Sequence, residues 1–316
     1  MDLIKRTIKK ILGIKDLLPE EPNISFDGKT ESGYWKEIVS SDKANLFIKN
    51  AVVSDIPCMI SRIGASELKV INNYIVKNIS GYTKWNDHVI EELHTHSGVF
   101  PPTEQMADEF SAIFIDALRD IDLLGVWNNV GENMVVKLLA PETTLCKLSD
   151  LEPFFVDDPW SQYLQGKKVL VIHPFEESIK RQYANREKLF TSQKFLPDFE
   201  LTIIKAVQSI SGNDERFSNW TEALRYMEAE IAKKEFDIAI IGAGAYGLPL
   251  ASFIKKSGKT AIHLGGASQL LFGLKGKRWI EIEKYKPLFN EHWIFPVQNE
   301  KPESGNKIDN IGPYWA

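Results

Sequence analysis

Three glycines carry the most legible chemistry in the chain. Gly242, Gly244 and Gly247 form a G-x-G-x-x-G between an apolar run, FDIAII, and a helix-like stretch. That spacing lets a backbone turn tightly, approach a pyrophosphate and offer helix N–H groups to it. Read literally it is a dinucleotide fingerprint, which also needs an acid at the end of the next strand to hold the ribose hydroxyls. Here that strand ends in His263, Leu264, Gly265 and Gly266. The missing acid argues against an NAD-dependent oxidoreductase, whereas a nucleoside diphosphate would use the small residues equally well. Close packing of helix on strand explains the glycines too. Two histidines end apolar runs, His173 in KKVLVIHPF and His263 in KTAIHLGG. A histidine there is a candidate general base, with Glu176 and Glu177 next in line after His173. It is equally a satisfied structural group, and both readings stay open.

Such residues need a scaffold that brings strand ends together. The sequence pattern predicts a helix over 34–49, a strand at CMISRIG and a helix over 65–76. Residues 82–102, with His88, His94, His96 and the turn signal GVFPP, read as an irregular excursion over the sheet. A helix capped by Thr103 runs to about 120, followed by strand LLGVW, a helix over 132–139 and strand TTLCKL. Strand KKVLVIHPF, a helix over 176–190 and strand LTIIKAV come next. Asn219 with Glu222 resembles a capping pair for a helix whose stripe is Trp220, Ala223, Leu224, Met227 and Ile231. Strand FDIAIIGAG, a helix over 245–256 ended by Gly258, and strand KTAIHLGG complete the series. Unbroken apolar strands alternating with helices imply an α/β, Rossmann-like, mostly parallel sheet with helices on both faces. Ligands bind such sheets where strands end, which selects the loops 62–67, 173–178, 242–247 and 263–269. These loops also contribute Ser178, Tyr246 and Gln269 as candidate ligand contacts.

Bulk properties narrow the class. The 316 residues are 43% apolar and 26% charged, as in a folded globular protein, and a net charge of -5 gives no general footprint for nucleic acid. Cys58 and Cys146 lie far apart, so neither a disulfide framework nor a cysteine zinc site is expected, and a reducing, cytoplasmic compartment is. In the first eighteen residues Leu3, Ile4, Ile8, Ile11, Leu12 and Leu18 recur at helical spacing opposite Lys5, Arg6, Lys9, Lys10 and Lys15. This reads as a basic amphipathic helix, lying on the inner face of the plasma membrane or packing on its own domain or a second subunit. The expected organisation is helix and linker over 1–33, then a catalytic domain with a C-terminal tail over 34–316.

The run FDIAIIGAGAYGLPLASFIKKSGKTAIHLGGASQLLFGLKGKRW resembles the C-terminal part of a family of bacterial polysaccharide-cluster proteins. VLVIHPFEESIKRQY, RIGASELKVI, GVFPP, and NEHWIFPV with Tyr314–Trp315 look like the same family. Those proteins in turn resemble GT-D type glycosyltransferases, which the resemblance implies have a Rossmann-like fold and a D-x-E motif working with a metal and a nucleotide-sugar. Against their early motif R-F-G-D-G-E, Arg62, Gly64 and Glu67 match, while Ala65 replaces the first acid. In the late region His263 stands where those proteins have an aspartate, and Gly265 matches a glycine.

The resemblance thus implies a hexosyltransferase that moves a sugar from a nucleotide-sugar, a UDP-sugar in the first instance, to a glycan or lipid-linked glycan acceptor in surface polysaccharide biosynthesis. Glu67, His173, His263 and Glu176 are the candidate catalytic residues. Glu67 is also the candidate ligand of a divalent cation, Mn2+ or Mg2+, a requirement that Ala65 weakens. Donor contacts are expected from Arg62, Gly64, Ser178, Arg181, Arg186, Gly242, Gly244, Tyr246, Gly247, Gly265, Gln269 and Arg278. Trp279, Asn290, Glu291 and Trp293 read as a polar–aromatic rim or as a clamp for the tail. The loss of the first acid keeps open a non-catalytic nucleotide- or sugar-binding partner in a polysaccharide assembly complex.

Overall fold

The computed structural model describes residues 33–80, 84–210, 216–302 and 312–315. The amphipathic helix and nearly all of the linker expected over 1–33 lie outside them. Seven strands form one sheet: β1 (Met59–Arg62), β2 (Leu123–Val126), β3 (Thr144–Lys147), β4 (Lys168–His173), β5 (Glu200–Lys205), β6 (Ile238–Ile241) and β7 (Thr260–His263). Their order is β3-β2-β1-β7-β6-β4-β5, and every pairing is parallel.

Side chains alternate across a strand, so a sheet covered on both faces needs apolar residues at every position. Met59, Leu170, Ile172, Ala239 and Ile241 enter one core, and their neighbours Ile60, Val169, Val171, Ile238 and Ile240 enter the other. The first core is built with helices α2 (Ala65–Ser80), α3 (Asp87–Ser97), α4 (Glu104–Leu118), α5 (Glu132–Leu139), α8 (Trp220–Ala232) and α9 (Gly247–Lys256). The second is built with α1 (Ser41–Val53), α6 (Glu176–Tyr183), α7 (Arg186–Leu189), α10 (Ser268–Leu271), α11 (Lys277–Ile280) and the tail residues Trp293 and Trp315. Among the described residues no helix is long and apolar enough to cross a membrane.

Caps set the helix bounds. Thr103 Oγ1 accepts the Met106 N–H at 3.2 Å, and Asn219 Oδ1 accepts the Glu222 N–H at 2.8 Å. Glu222 reaches back to the Ser218 N–H at 2.7 Å, so the expected capping pair forms one residue earlier than the standard box. Gly258 follows α9 at φ +88°, which only glycine adopts without strain.

Three expectations change. The helix expected over 34–49 begins at Ser41, because Ser40 caps it and Ile38 bridges Leu145 beside β3. The excursion expected over 82–102 contains α3, capped by Asn86 and closed by Gly98 at φ +71°; Val89, Ile90 and Leu93 give it a buried stripe. The single helix expected over 176–190 is split in two at Ala184 and Asn185.

Replacing Asn219 by alanine removes the cap of a helix whose Trp220 is fully buried. Urea denaturation is expected to show a loss of about 1 kcal/mol in unfolding free energy.

Candidate active site at the carboxyl ends of four central strands

From β4 the chain departs toward β5, and from β6 it departs the other way toward β7. Opposite departures from neighbouring strands open a crevice at their carboxyl ends. A cavity of about 190 Å³ lies there, lined from β1 by Arg62, from β4 by His173, from β6 by the loop 242–246, and from β7 by His263 and Gly265.

Arg62 ends β1 with its guanidinium 5.1 Å from the ring of Trp127. Trp127 is held in turn: its indole N–H donates to Ile63 O at 3.0 Å, and its backbone N–H donates to Glu132 Oε2 at 3.1 Å. That oxygen also accepts the Tyr34 hydroxyl at 2.5 Å and the Asn129 N–H at 3.4 Å. Arg62 itself spends one donor, Nη2 to Ile63 O at 3.2 Å, while its enclosed Nε has no partner. No carboxylate among the described residues lies within 4.0 Å of it. Burial lowers its pKa from the ordinary guanidinium range, and the charge of Glu67 works against that shift. A partly buried cation with spare donors is a receptor for an anion.

Glu67 sits in the first turn of α2 and folds back over Gly64, where any Cβ would collide with its carboxylate. Gly265 has φ +60°, and a Cβ there would stand 3.0 Å from Arg62 Cδ and Nη1. Arg278 enters from α11, 5.1 Å from the ring of Tyr314.

The two histidines differ. His173 Nδ1 accepts the Phe175 N–H at 3.0 Å, which fixes the proton on Nε2. No partner for that N–H stands among the described residues, and the ring lines the cavity. His263 Nδ1 lies 2.9 Å from Ser61 Oγ, and its Nε2 side packs against Gly247, where a Cβ would collide with it. Burial lowers both pKa values to about 3, helped at His263 by the charge of Arg62. Both rings are therefore neutral near pH 7, which makes His173 a hydrogen-bond donor rather than the expected base.

The glycine motif divides the same way. Gly242 lets the backbone pass Ser268 and His173, and Gly247 makes room for His263, so these two serve packing. Gly244, at φ +53°, has open space where its Cβ would be. The N–H groups of Ala243, Gly244 and Ala245 have no acceptor among the described residues, and all three residues line the cavity. Tyr246 is buried, stacked on Trp220 at 5.1 Å, with its hydroxyl 2.9 Å from Ser209 Oγ. Ser209 donates to Gly98 O at 2.6 Å, so the loops after α3, β5 and β6 are tied together. Gln269 lines the cavity and donates to Lys275 O at 2.9 Å.

Five expected residues lie outside the cavity: Gly247, which packs on His263, and four that follow β4, because α6 leads away after Phe175. Glu176 pairs with Lys180 at 2.5 Å, and Arg181 is exposed. Ser178 is buried and donates to Glu300 Oε2 at 2.5 Å. Arg186 pairs with Asp198 at 2.8 Å and lies over Tyr183. The expected rim is the tail clamp: Trp279 packs on Tyr314, Trp293 Nε1–H donates to Leu189 O at 2.7 Å, and Asn290 donates to Lys188 O. Of the three clustered histidines only His96 lines the cavity. Trp127, Ser97 and residues 207–210 line it too, and nothing in their sequence context marked them.

Among the described residues Glu67 is the sole carboxylate lining the cavity, which Arg62 and Arg278 line too. Among the described residues no three His, Cys, Asp or Glu side chains are grouped to hold a metal. A divalent cation between phosphates takes one or two carboxylates besides the phosphate oxygens. The described lining supplies the minimum, one carboxylate, in a cavity that two guanidinium groups also line, which is a poor fit for a further cation.

The GT-D fold-like domain matches residues 41–271, the greater part of the chain. The protein belongs to this GT-D-like family, whose fold is of glycosyltransferase type. Two solved structures are similar at low level. One is titled as the selenomethionine-substituted structure of domain of unknown function 1792, with 12% identity, 83% of this chain and 96% of that chain covered, and a TM-score of 0.36. The other is titled "The highly conserved domain of unknown function 1792 has a distinct glycosyltransferase fold", with 11% identity, the same coverages and a TM-score of 0.35. Among curated proteins none matches.

Neutral burial of His173 and His263 has a measurable cost in acid. Their folded pKa values near 3 lie below the unfolded value of 6.5, so the unfolded chain binds more protons between the two. Their contribution is full above pH 6.5 and falls as pH drops toward 3. The slope is on the order of 1 kcal/mol per pH unit for each ring near pH 5. Urea titrations at pH 7.5 and pH 5 are expected to show this fall, and His263→Asn is expected to reduce it.

Proposed function

We propose that the protein transfers a sugar from a nucleotide-sugar to a glycan acceptor. The observation that carries this is Arg62: a guanidinium whose enclosed Nε has no partner, lining the same cavity as three amides at the end of β6 that have no acceptor among the described residues. Together they suit a diphosphate, and membership of the GT-D-like family supports a sugar as the group attached to it. A UDP-sugar donor and an acceptor in surface polysaccharide assembly are the finer part of the proposal, supported by the sequence resemblance.

In the transfer the acceptor oxygen bonds to the anomeric carbon while the bond from that carbon to the diphosphate breaks. The bonding pair leaves on the diphosphate, where Arg62, Arg278 and the Ala243–Gly244–Ala245 amides meet the added charge. His173 donates from Nε2 to the same leaving group. The acceptor proton passes to Glu67, the carboxylate within the cavity. Ala65, where the resembling proteins have an acid, favours a second reading: a non-catalytic nucleotide-binding partner in an assembly complex.

Thermal shift with UDP, GDP, CMP and NAD separates these. One nucleotide at 100 times its dissociation constant is expected to add about 2.7 kcal/mol of apparent stability, an effect cut to about 1.4 kcal/mol or less in Arg62→Gln. Release of UDP from a UDP-sugar in the presence of acceptor extract is expected to fall by about 10²- to 10⁴-fold in Glu67→Gln. Binding without any turnover would move the assignment to the binding partner. A response to NAD alone would defeat both.

A further inference from the structure

We infer that this cavity holds the diphosphate of its ligand without a divalent cation, through Arg62, Arg278, His173 and the amides of Ala243, Gly244 and Ala245. The inference rests on the nucleotide-sugar reading above and adds the mode of recognition. Three independent features support it. The first is the carboxylate inventory. Among the described residues Glu67 is the single acid lining the cavity, and the position two residues before it is Ala65, whose methyl group has no lone pair to offer a metal.

The second feature is the direction of the unused hydrogen-bonding capacity. A metal site presents acceptors, whereas the unpartnered groups of this cavity are mostly donors, the Gln269 carbonyl oxygen and the Ser97 hydroxyl apart. Arg62 Nε is enclosed without a partner, and His173, 2% exposed, has its proton on Nε2 because Nδ1 is occupied by the Phe175 N–H. The three amides after β6 add further donors at the N-terminal end of the ten-residue helix α9. Each of these groups repels a cation and attracts a phosphate oxygen.

The third feature is the way Arg62 is fixed. Its face rests on Trp127, which Glu132 fastens from behind through the backbone N–H. Gly265, at φ +60°, leaves the other side clear for the guanidinium to lie across the strand end. Trp127 and Gly265 thus hold the charge in place without neutralising it. His263, where the resembling proteins have an aspartate, is turned to Ser61 and Gly247 and supplies no metal ligand either. Glu67 is then free of a metal and available to take the acceptor proton.

Isothermal titration with UDP and with inorganic pyrophosphate, in excess EDTA and again in excess MnCl2, tests this on the full chain. The dissociation constants are expected to agree within about threefold between the two conditions. Arg62→Gln is expected to weaken both ligands by about tenfold or more in either condition, with Arg62→Lys in between. Glu67→Gln, at a partly exposed position that leaves the fold unchanged by thermal melting, is expected to bind UDP as tightly as the parent or more so. UDP binding that appears only with manganese, or that is lost in Glu67→Gln, would overturn the inference and leave the transferase reading standing. Failure of UDP and pyrophosphate to bind in both conditions would defeat the transferase reading along with it.

Discussion

A guanidinium enclosed at the end of a central strand, with no carboxylate within 4.0 Å among the described residues, is held by packing rather than by a counter-charge. The arrangement around the cavity follows from that constraint. Trp127 supports the cation from one side, so the loop after β2 must be rigid, and Glu132 makes it rigid by collecting two backbone N–H groups and a tyrosine hydroxyl on one oxygen. Gly265 must be small, because its Cβ position lies against Arg62. The amides after β6 must lack internal acceptors if an anion is to be shared with the arginine. Each of these residues comes from a different strand end, and only a parallel sheet gathers four such ends in adjacent order.

The sheet was readable because its strands are buried on both faces. Val169, Leu170, Val171 and Ile172 go alternately to two cores, so the polar alternation of a half-exposed strand is missing and the run stays apolar throughout. The same reasoning placed His173 and His263 at strand ends and the glycine loop beside them. Their protonation was not readable. A histidine in the sequence carries its ordinary pKa, and only the depth of the site, with Phe175 N–H on one nitrogen, makes it a neutral donor.

The misplaced residues have a common cause. Glu176, Ser178, Arg181 and Arg186 follow a strand end closely in sequence, but proximity along the chain is not proximity to the ligand. Ser178 points inward to Glu300, and Arg186 points to Asp198, because α6 turns its buried stripe toward the second core. Trp127 is the converse case. It ends a predicted strand, yet an aromatic there is ordinary core material, and nothing local says that an arginine sixty-five residues earlier lies on its ring. The glycine motif was legible as a motif but not as a division of labour, since the neighbours that explain Gly242 and Gly247 come from β4, from β7 and from the segment after β7.

Tyr34 has a bearing on where the functional unit starts. Its hydroxyl is one of the donors on Glu132, and burial with the adjacent carboxylate raises its pKa far out of range of ionisation. The family match opens at residue 41, after this contact. A fragment begun at residue 41 would keep every strand and helix described above. It would nevertheless remove one of the three donors on Glu132, and with it part of what steadies Trp127 beneath the arginine.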